Sequence, residues 1–218
     1  MSSQITVGYW DFRGLAEPIR NLLVFQGVDF VDKRYSKGAD GKGQEWLDEK
    51  FTLGLDFPNI PYLIDSANNV KITQSLAILR YLARKYKLEG ETEEQKNRAA
   101  VLEQQVYDLN MNFFRTIFSP DFEKNKAEYL KTLPDQLKAV SNFIGSNQYS
   151  TGNSVTYVDF WLYELLVKLK VFSPDIFNQF NVLVSFVDRL ESNKNIAAWR
   201  KKKGPQKFVG FGPFQVEY

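Results

Sequence analysis

Neither cysteine nor histidine occurs among the 218 residues of this chain. Without cysteine there is no disulfide, no thiolate nucleophile and no thiolate-bound metal. Without histidine the chain lacks the commonest general base near neutral pH and the commonest metal ligand, so no metal or protein-held cofactor is expected. No apolar run approaches membrane-spanning length. Charge of one sign is lacking too: 28 Lys and Arg stand against 26 Asp and Glu. The signs interleave along the chain, which implies no nucleic-acid or anionic-membrane partner. The opening Met-Ser-Ser-Gln has no basic-then-apolar layout of a signal peptide, so a cytoplasmic protein is expected. Chemistry must then rest on Tyr, Ser, a carboxylate, Lys or Arg, or on a reactive group that a ligand carries in.

What is present divides in two. Ile5 to Trp10 reads as a short apolar strand leading into a loop, Asp11 to Leu15. Pro18 falls in the first turn of the next helix, where its missing N–H does no harm, and Gly27 stops that helix. Phe30 to Tyr35 alternates as a second strand, and Ser36 to Gln44 is a Gly- and Lys-rich loop before a short helix near Glu45 to Phe51. Tyr62 to Ile64 and Val70 to Thr73 read as a hairpin. Ser75 then opens a helical pattern with Leu76, Leu79 and Tyr86 on one face. From Lys87 onward the pattern is helical throughout. Leu102, Val106, Leu109, Phe113 and Ile117 mark a long helix that ends at Ser119-Pro120. Another covers Phe122 to Ile144, with a kink expected at Pro134. Thr156 to Asp159 has capping-box spacing flanked by a Val155/Phe160 staple. Phe180 to Glu191 and Asn195 to Lys203 close the helical part. The tail from Gly204 is rich in Gly, Pro and Phe and needs packing to be ordered. A β-α-β start and a β-β-α finish is a thioredoxin-like pattern. The expected fold is therefore an α+β thioredoxin-like N-terminal domain over residues 1–86 and an all-α domain over residues 87–218.

The chain is organised around Asn59-Ile60-Pro61-Tyr62-Leu63-Ile64-Asp65 and Lys71-Ile72-Thr73-Gln74-Ser75. Here a strand, a turn, a strand and a helix N-terminus meet. Backbone beside Pro61, for which a cis bond is expected, can pair with an extended peptide. The helix N-terminus can hold a carboxylate. Read alone, Ser75 is an ordinary N-cap and Tyr9 a strand-end core tyrosine with a wet hydroxyl. Lys50 and Asp108 alone are solvated helix residues.

Three blocks change those readings. Leu53-Gly-Leu-Asp-Phe-Pro-Asn-Ile-Pro-Tyr-Leu-Ile-Asp65 with Ile72-Thr-Gln-Ser75, the opening Gly8-Tyr9-Trp10-Asp-Phe-Arg-Gly-Leu-Ala-Glu-Pro18, and Val155-Thr-Tyr-Val-Asp-Phe160 occur in order over nearly the whole chain. Together they resemble the mu class of the cytosolic glutathione transferases. The resemblance implies an enzyme that conjugates the glutathione thiolate to electrophilic small molecules in detoxification, with glutathione as co-substrate and no further cofactor. It implies that Tyr9 donates a hydrogen bond to the glutathione sulfur. Trp10, Lys42, Trp46, Lys50, Asn59, Ile60, Pro61, Gln74, Ser75 and Asp108 would line the rest of the peptide. Trp46 and Lys50 take its glycine carboxylate, Gln74 and Ser75 its γ-glutamyl end, and Asp108 reaches across a homodimer interface. Phe57 would be the wedge at that interface. The electrophile pocket would use Trp10, Phe12, Leu15, Met111, Phe114, Phe118 and either Phe208 or Phe211.

The sequence departs from the class in two places. The loop before Trp46 is shortened to Gly41-Lys42-Gly43-Gln44, leaving Lys42 as an approximate substitute for an arginine. Phe118 stands where the class uses a tyrosine, removing a donor that helps epoxides and conjugated ketones. A non-enzymatic relative with a structural or ligand-binding role is the rival reading. A thiol-disulfide oxidoreductase would need the cysteine that is missing.

Overall fold

The computed structural model describes residues 4–209, 214 and 216–218. The N-terminal part contains β1 (Ile5–Trp10), α1 (Glu17–Phe25), β2 (Val31–Tyr35), α2 (Gln44–Glu49), β3 (Tyr62–Asp65), β4 (Val70–Thr73) and α3 (Ser75–Tyr86). It is followed by α4 (Glu93–Ile117), α5 (Phe122–Ile144), α6 (Tyr157–Phe172), α7 (Pro174–Phe177), α8 (Asn181–Glu191) and α9 (Lys194–Lys203). This is the expected α+β unit followed by an all-helical one.

The strands form one mixed sheet in the order β2-β1-β3-β4, with β1 and β2 parallel and the other pairs antiparallel. Gly8 interrupts an otherwise β-branched and aromatic strand for a packing reason. It faces Tyr62 across the β1/β3 pair, and a Cβ there would lie 2.1 Å from the Tyr62 ring. The helix α3 is fastened back to the hairpin by the buried Asp65, which accepts from the Tyr81 hydroxyl at 2.7 Å and pairs with Lys85. Asp65 is depressed below the usual carboxylate range: burial works against its charge, and Lys85, Tyr81 and Asn68 more than offset that.

In the helical part, α4 opens on a Thr92/Gln95 capping box that the sequence reading did not single out. At the head of α6, Asp159 accepts from the Thr156 N–H at 2.7 Å, and Val155 and Phe160 both join the core. One helix, α5, runs through Pro134. The main core is continuous from Ile5, Val7, Ile19 and Leu22 to α4, α6 and α8. Helix α6 sits at its centre and is buried on almost every face. The short α7 was absent from the sequence reading, because Pro174 marks a helix start only when its partners are known. The C-terminal segment is pinned as expected: Phe208 is fully buried, stacks on Phe214 and Tyr218, and its N–H donates to Val216 O.

A buried carboxylate ties β2 to α1 and α9. Asp32 accepts from Arg20 Nε at 2.8 Å, Arg34 Nε at 2.7 Å and Lys203 Nζ at 2.9 Å. Burial alone would raise it, but Arg20 and Arg34 bring it down to about 2. A carboxylate depressed in the folded state stabilises above its unfolded value of about 3.9, and that contribution fades as pH falls toward the folded value. Asp32→Asn should therefore lower unfolding free energy near pH 7 by on the order of 2 kcal/mol. The gap from wild type should shrink between about pH 5 and pH 2. Urea unfolding across that range checks it, and a gap independent of pH would contradict it.

Candidate functional site

Three strand ends meet at one end of the sheet. Gly8 is opposite Tyr62 and Tyr62 opposite Thr73, so Tyr9 emerges beside Pro61, and Gln74 and Ser75 follow on the far side. Parallel pairing of Trp10 with Tyr35 brings the loop before α2 to the same end. The register thus gathers Tyr9, Trp10, Pro61, Gln74 and Ser75, which are scattered in sequence.

Tyr9 is 7% exposed and packs edge-on against Phe12 at 5.4 Å. The Leu15 N–H donates to its hydroxyl oxygen at 3.3 Å. Burial pushes this phenol above its ordinary range, partly offset by the Leu15 bond and the charge of Arg20. Tyr9 is therefore protonated at neutral pH, with its oxygen already accepting and its own O–H left to donate. Gly14 closes against it with φ +47°, and a Cβ there would lie 2.5 Å from the Tyr9 ring and 2.6 Å from its hydroxyl.

Beside Tyr9, Trp10 and Ile60 bridge two small aromatic clusters, one around Tyr9 and Phe12 and the other around Tyr35, Trp46 and Tyr62. Trp46 stacks on Tyr62 at 6.0 Å and meets Tyr35 edge-on at 5.4 Å. The Tyr35 hydroxyl reaches Glu49 at 2.7 Å and lies 2.8 Å from that of Tyr62. Glu49 also pairs with Lys33, so α2 is bound to β2 from below. This holds Lys50, half-buried with its ammonium over Phe51, at the end of α2. Lys42 lies on the exposed loop near Asp40.

The Ile60–Pro61 bond is cis, as expected. Asn59 is exposed, and its Oδ1 accepts from the Ile60 N–H at 2.9 Å. Gln74, rather than Ser75, occupies the cap of α3; it has φ +73° and makes no capping bond. Such a backbone conformation is costly outside glycine and persists where the surroundings enforce it. The first turn of α3 carries no acidic residue and its last turn carries Arg84 and Lys85. Its N-terminal N–H groups and the Ser75 hydroxyl thus favour an anion.

On the other side, Phe12 is buried while Leu15, Met111 and Phe114 are half-buried. Phe114 stacks on the more exposed Phe118 at 5.9 Å. Phe208 is fully buried in the C-terminal stack, and Phe211 lies outside the described residues. Asp108 and Phe57 are exposed, the latter at 75%.

The residues that sequence reasoning missed are charged and buried. Arg13, Glu17 and Arg20, before and in α1, and Glu164 and Lys168, in α6, are at most 3% exposed. Their signal was the i, i+4 spacing of Arg13 with Glu17 and of Glu164 with Lys168, the latter inside an apolar helix.

Comparison with known proteins bears on the whole chain. Residues 5–84 match the family described as glutathione S-transferase, N-terminal domain, and residues 107–203 the corresponding C-terminal domain. A glutathione S-transferase of Tyrophagus putrescentiae is 51% identical over 96% of this chain and 95% of its own length. Glutathione S-transferase Mu 1 of Mus musculus is 48% identical over 89% of each chain. The crystal structure of the glutathione S-transferase Blo t 8 superposes with a TM-score of 0.83 at 32% identity, covering 96% of this chain and 98% of that one.

The closeness of Gly14 to Tyr9 makes a direct prediction. Gly14→Ala combines positive φ with a Cβ inside the Tyr9 ring contact, so it should destabilise by more than about 1 kcal/mol. Urea unfolding checks this, and an unchanged midpoint would contradict the packing.

Proposed function

This chain belongs to the glutathione S-transferase family, and from that premise we propose that it transfers the glutathione thiolate to electrophilic small molecules. The reading rests on one observation: a protonated Tyr9 hydroxyl, steadied by the Leu15 N–H, beside cis-Pro61 and the open N-terminus of α3. A free thiol has a pKa of about 8.5 and is mostly unreactive at neutral pH. A hydrogen bond that favours the thiolate lowers that value, each unit being worth about 1.4 kcal/mol. The nucleophile arrives with the substrate, which is why a chain without cysteine can perform the reaction. The thiolate then forms a carbon–sulfur bond while the electrophile's leaving group departs or its ring opens.

Glutathione would lie along the sheet end. Its γ-glutamyl carboxylate would take the Ser75 hydroxyl and the first N–H groups of α3, beside Gln74. Its middle would pair with backbone between Asn59 and Pro61. Its glycine carboxylate would meet Lys50 and the edge of Trp46, with Lys42 nearby on the loop. The electrophile would rest on Trp10, Leu15, Met111, Phe114 and Phe118. Detoxification in the cytoplasm is part of this reading; among the described residues no helix is long and apolar enough to cross a membrane. A purely structural role fits less well, because Tyr9, Trp46, Lys50, Gln74 and Ser75 are all present.

Tyr9→Phe should leave glutathione affinity within about twofold while lowering conjugation of an activated aryl halide by about tenfold or more. Thiolate absorbance of the glutathione complex against pH measures the cause directly. An unchanged titration would remove Tyr9 from its role, and an inactive wild type would remove the function.

The proposal includes a homodimer. Phe57 is 75% exposed, and a groove of about 470 Å³ between α4 and α5 is lined by Val101, Leu109, Ala139, Val140 and Phe143 among others. An exposed aromatic and an uncovered apolar groove on the same chain suit a two-fold pairing, in which each copy's Phe57 enters the other's groove. Asp108, on α4 beside that groove, would then approach the partner's glutathione. Phe57→Ser should shift sedimentation toward monomer and weaken glutathione binding together. A wild-type monomer with full activity would refute the pairing.

A further inference from the structure

The loop that carries the Tyr9 hydroxyl's partner is anchored from the opposite domain. The Arg13 N–H donates to Lys207 O and the Gly14 N–H to Phe208 O, each at 2.9 Å. The Arg13 carbonyl accepts from the N–H groups of Ala16 and Glu17, which starts α1. The guanidinium forks onto one carboxylate of α6, with Nη2 2.6 Å from Glu164 Oε2 and Nε 3.3 Å from Glu164 Oε1. It also lies 5.3 Å from the Phe208 ring centroid and 5.7 Å from that of Tyr218. Both members of the pair are at most 3% exposed.

We propose that Glu164 is a positioning residue for Tyr9, acting through Arg13 to fix the β1–α1 loop and so aim the hydroxyl at the incoming sulfur. The inference rests on the reading of Tyr9 as the sulfur's donor. Arg13 is followed by Gly14, which lies against the Tyr9 ring and hydroxyl, and then by Leu15, whose N–H holds the oxygen. Any displacement of Arg13 therefore moves both contacts that orient the phenol. Misplacement of a reacting partner by about 1 Å can cost about a hundredfold in rate.

Glu164 is also the carboxylate on which a second cation depends. Lys168 Nζ lies 3.9 Å from Glu164 Oε1, is buried without a hydrogen-bond partner, and sits 5.3 Å from the Phe114 ring centroid. Burial pulls this lysine below its ordinary range, and the charge of Glu164 opposes that. One carboxylate thus serves the loop under Tyr9 on one side and the support of Phe114 on the other. That location explains why a carboxylate occupies the middle of a helix that is buried on almost every face.

The test uses the whole enzyme with glutathione and an activated aryl halide. Glu164→Gln keeps the shape and removes the charge. It should lower kcat by about tenfold and raise the bound thiol's pKa by about one unit, with glutathione KM within about twofold. Glu164→Asp should recover part of both effects. The triple variant Arg13→Met/Glu164→Met/Lys168→Met removes these three buried charges together and leaves Glu17 paired with Arg20, a change that proteins often tolerate in stability. It should fold and still show the raised thiol titration. If the folded variants titrate and turn over like wild type and lose only thermal stability, or if KM alone rises, Glu164 is structural and the proposal falls. An active wild type with indifferent variants overturns only this role, whereas an inactive wild type overturns the reading of Tyr9 beneath it.

Discussion

A guanidinium buried between two domains has to find its carboxylate, and Arg13 finds Glu164. The demand is severe, because removing one partner of a buried pair commonly costs about 3–5 kcal/mol. The bond therefore acts as a registration pin. It sets how far the sheet unit stands from α6, and the C-terminal segment closes over it with Phe208 and Tyr218. Arg20 repeats the device in the first turn of α1, reaching Glu17, Asp32 and the Phe12 carbonyl. Between them these two arginines hold both ends of the loop that bears on Tyr9.

The sheet supplies the other half of the construction. Mixed pairing brings the C-terminal ends of β1 and β4 and the N-terminal end of β3 to one edge. An extended peptide laid across that edge meets a donor hydroxyl, an exposed stretch of backbone and a helix N-terminus in succession. In the proposed function each would serve a different part of an acidic tripeptide thiol. None requires histidine, cysteine or metal, so the composition agrees with the site.

Legibility in the sequence followed range. The strand-turn-strand-helix run from Tyr62 to Tyr86 could be read because its signals are local: β-branched residues, a polar turn, then 3.6-residue spacing. The head of α6 was equally plain from Thr156 and Asp159. The fold came further into view through blocks that resemble a known family, and the same blocks carry the proposed glutathione side. What stayed hidden depended on distant partners. Arg13 and Glu164 are 151 positions apart, and neither looks buried until α6 is placed against the loop. The aromatic at the end of the chain was likewise ambiguous, because only packing shows that Phe208 is turned inward.

The two sides of the site differ in how much freedom they leave. The proposed thiol side is fixed by backbone register, by a buried ion pair and by a glycine that no larger residue can replace without strain. On the proposed electrophile side Phe114 stacks on Phe118, and neither ring offers a hydroxyl to charge developing on an oxygen. Donors aimed at such charge can be worth about 3–4 kcal/mol, so their absence biases the choice of substrate. Electrophiles that spread charge over their own substituents need no such donor, whereas epoxides and conjugated ketones do. On this reading selectivity follows from a division of labour. The protein activates the sulfur with one precise hydroxyl, and leaves the electrophile to accommodate its own charge against an aromatic wall.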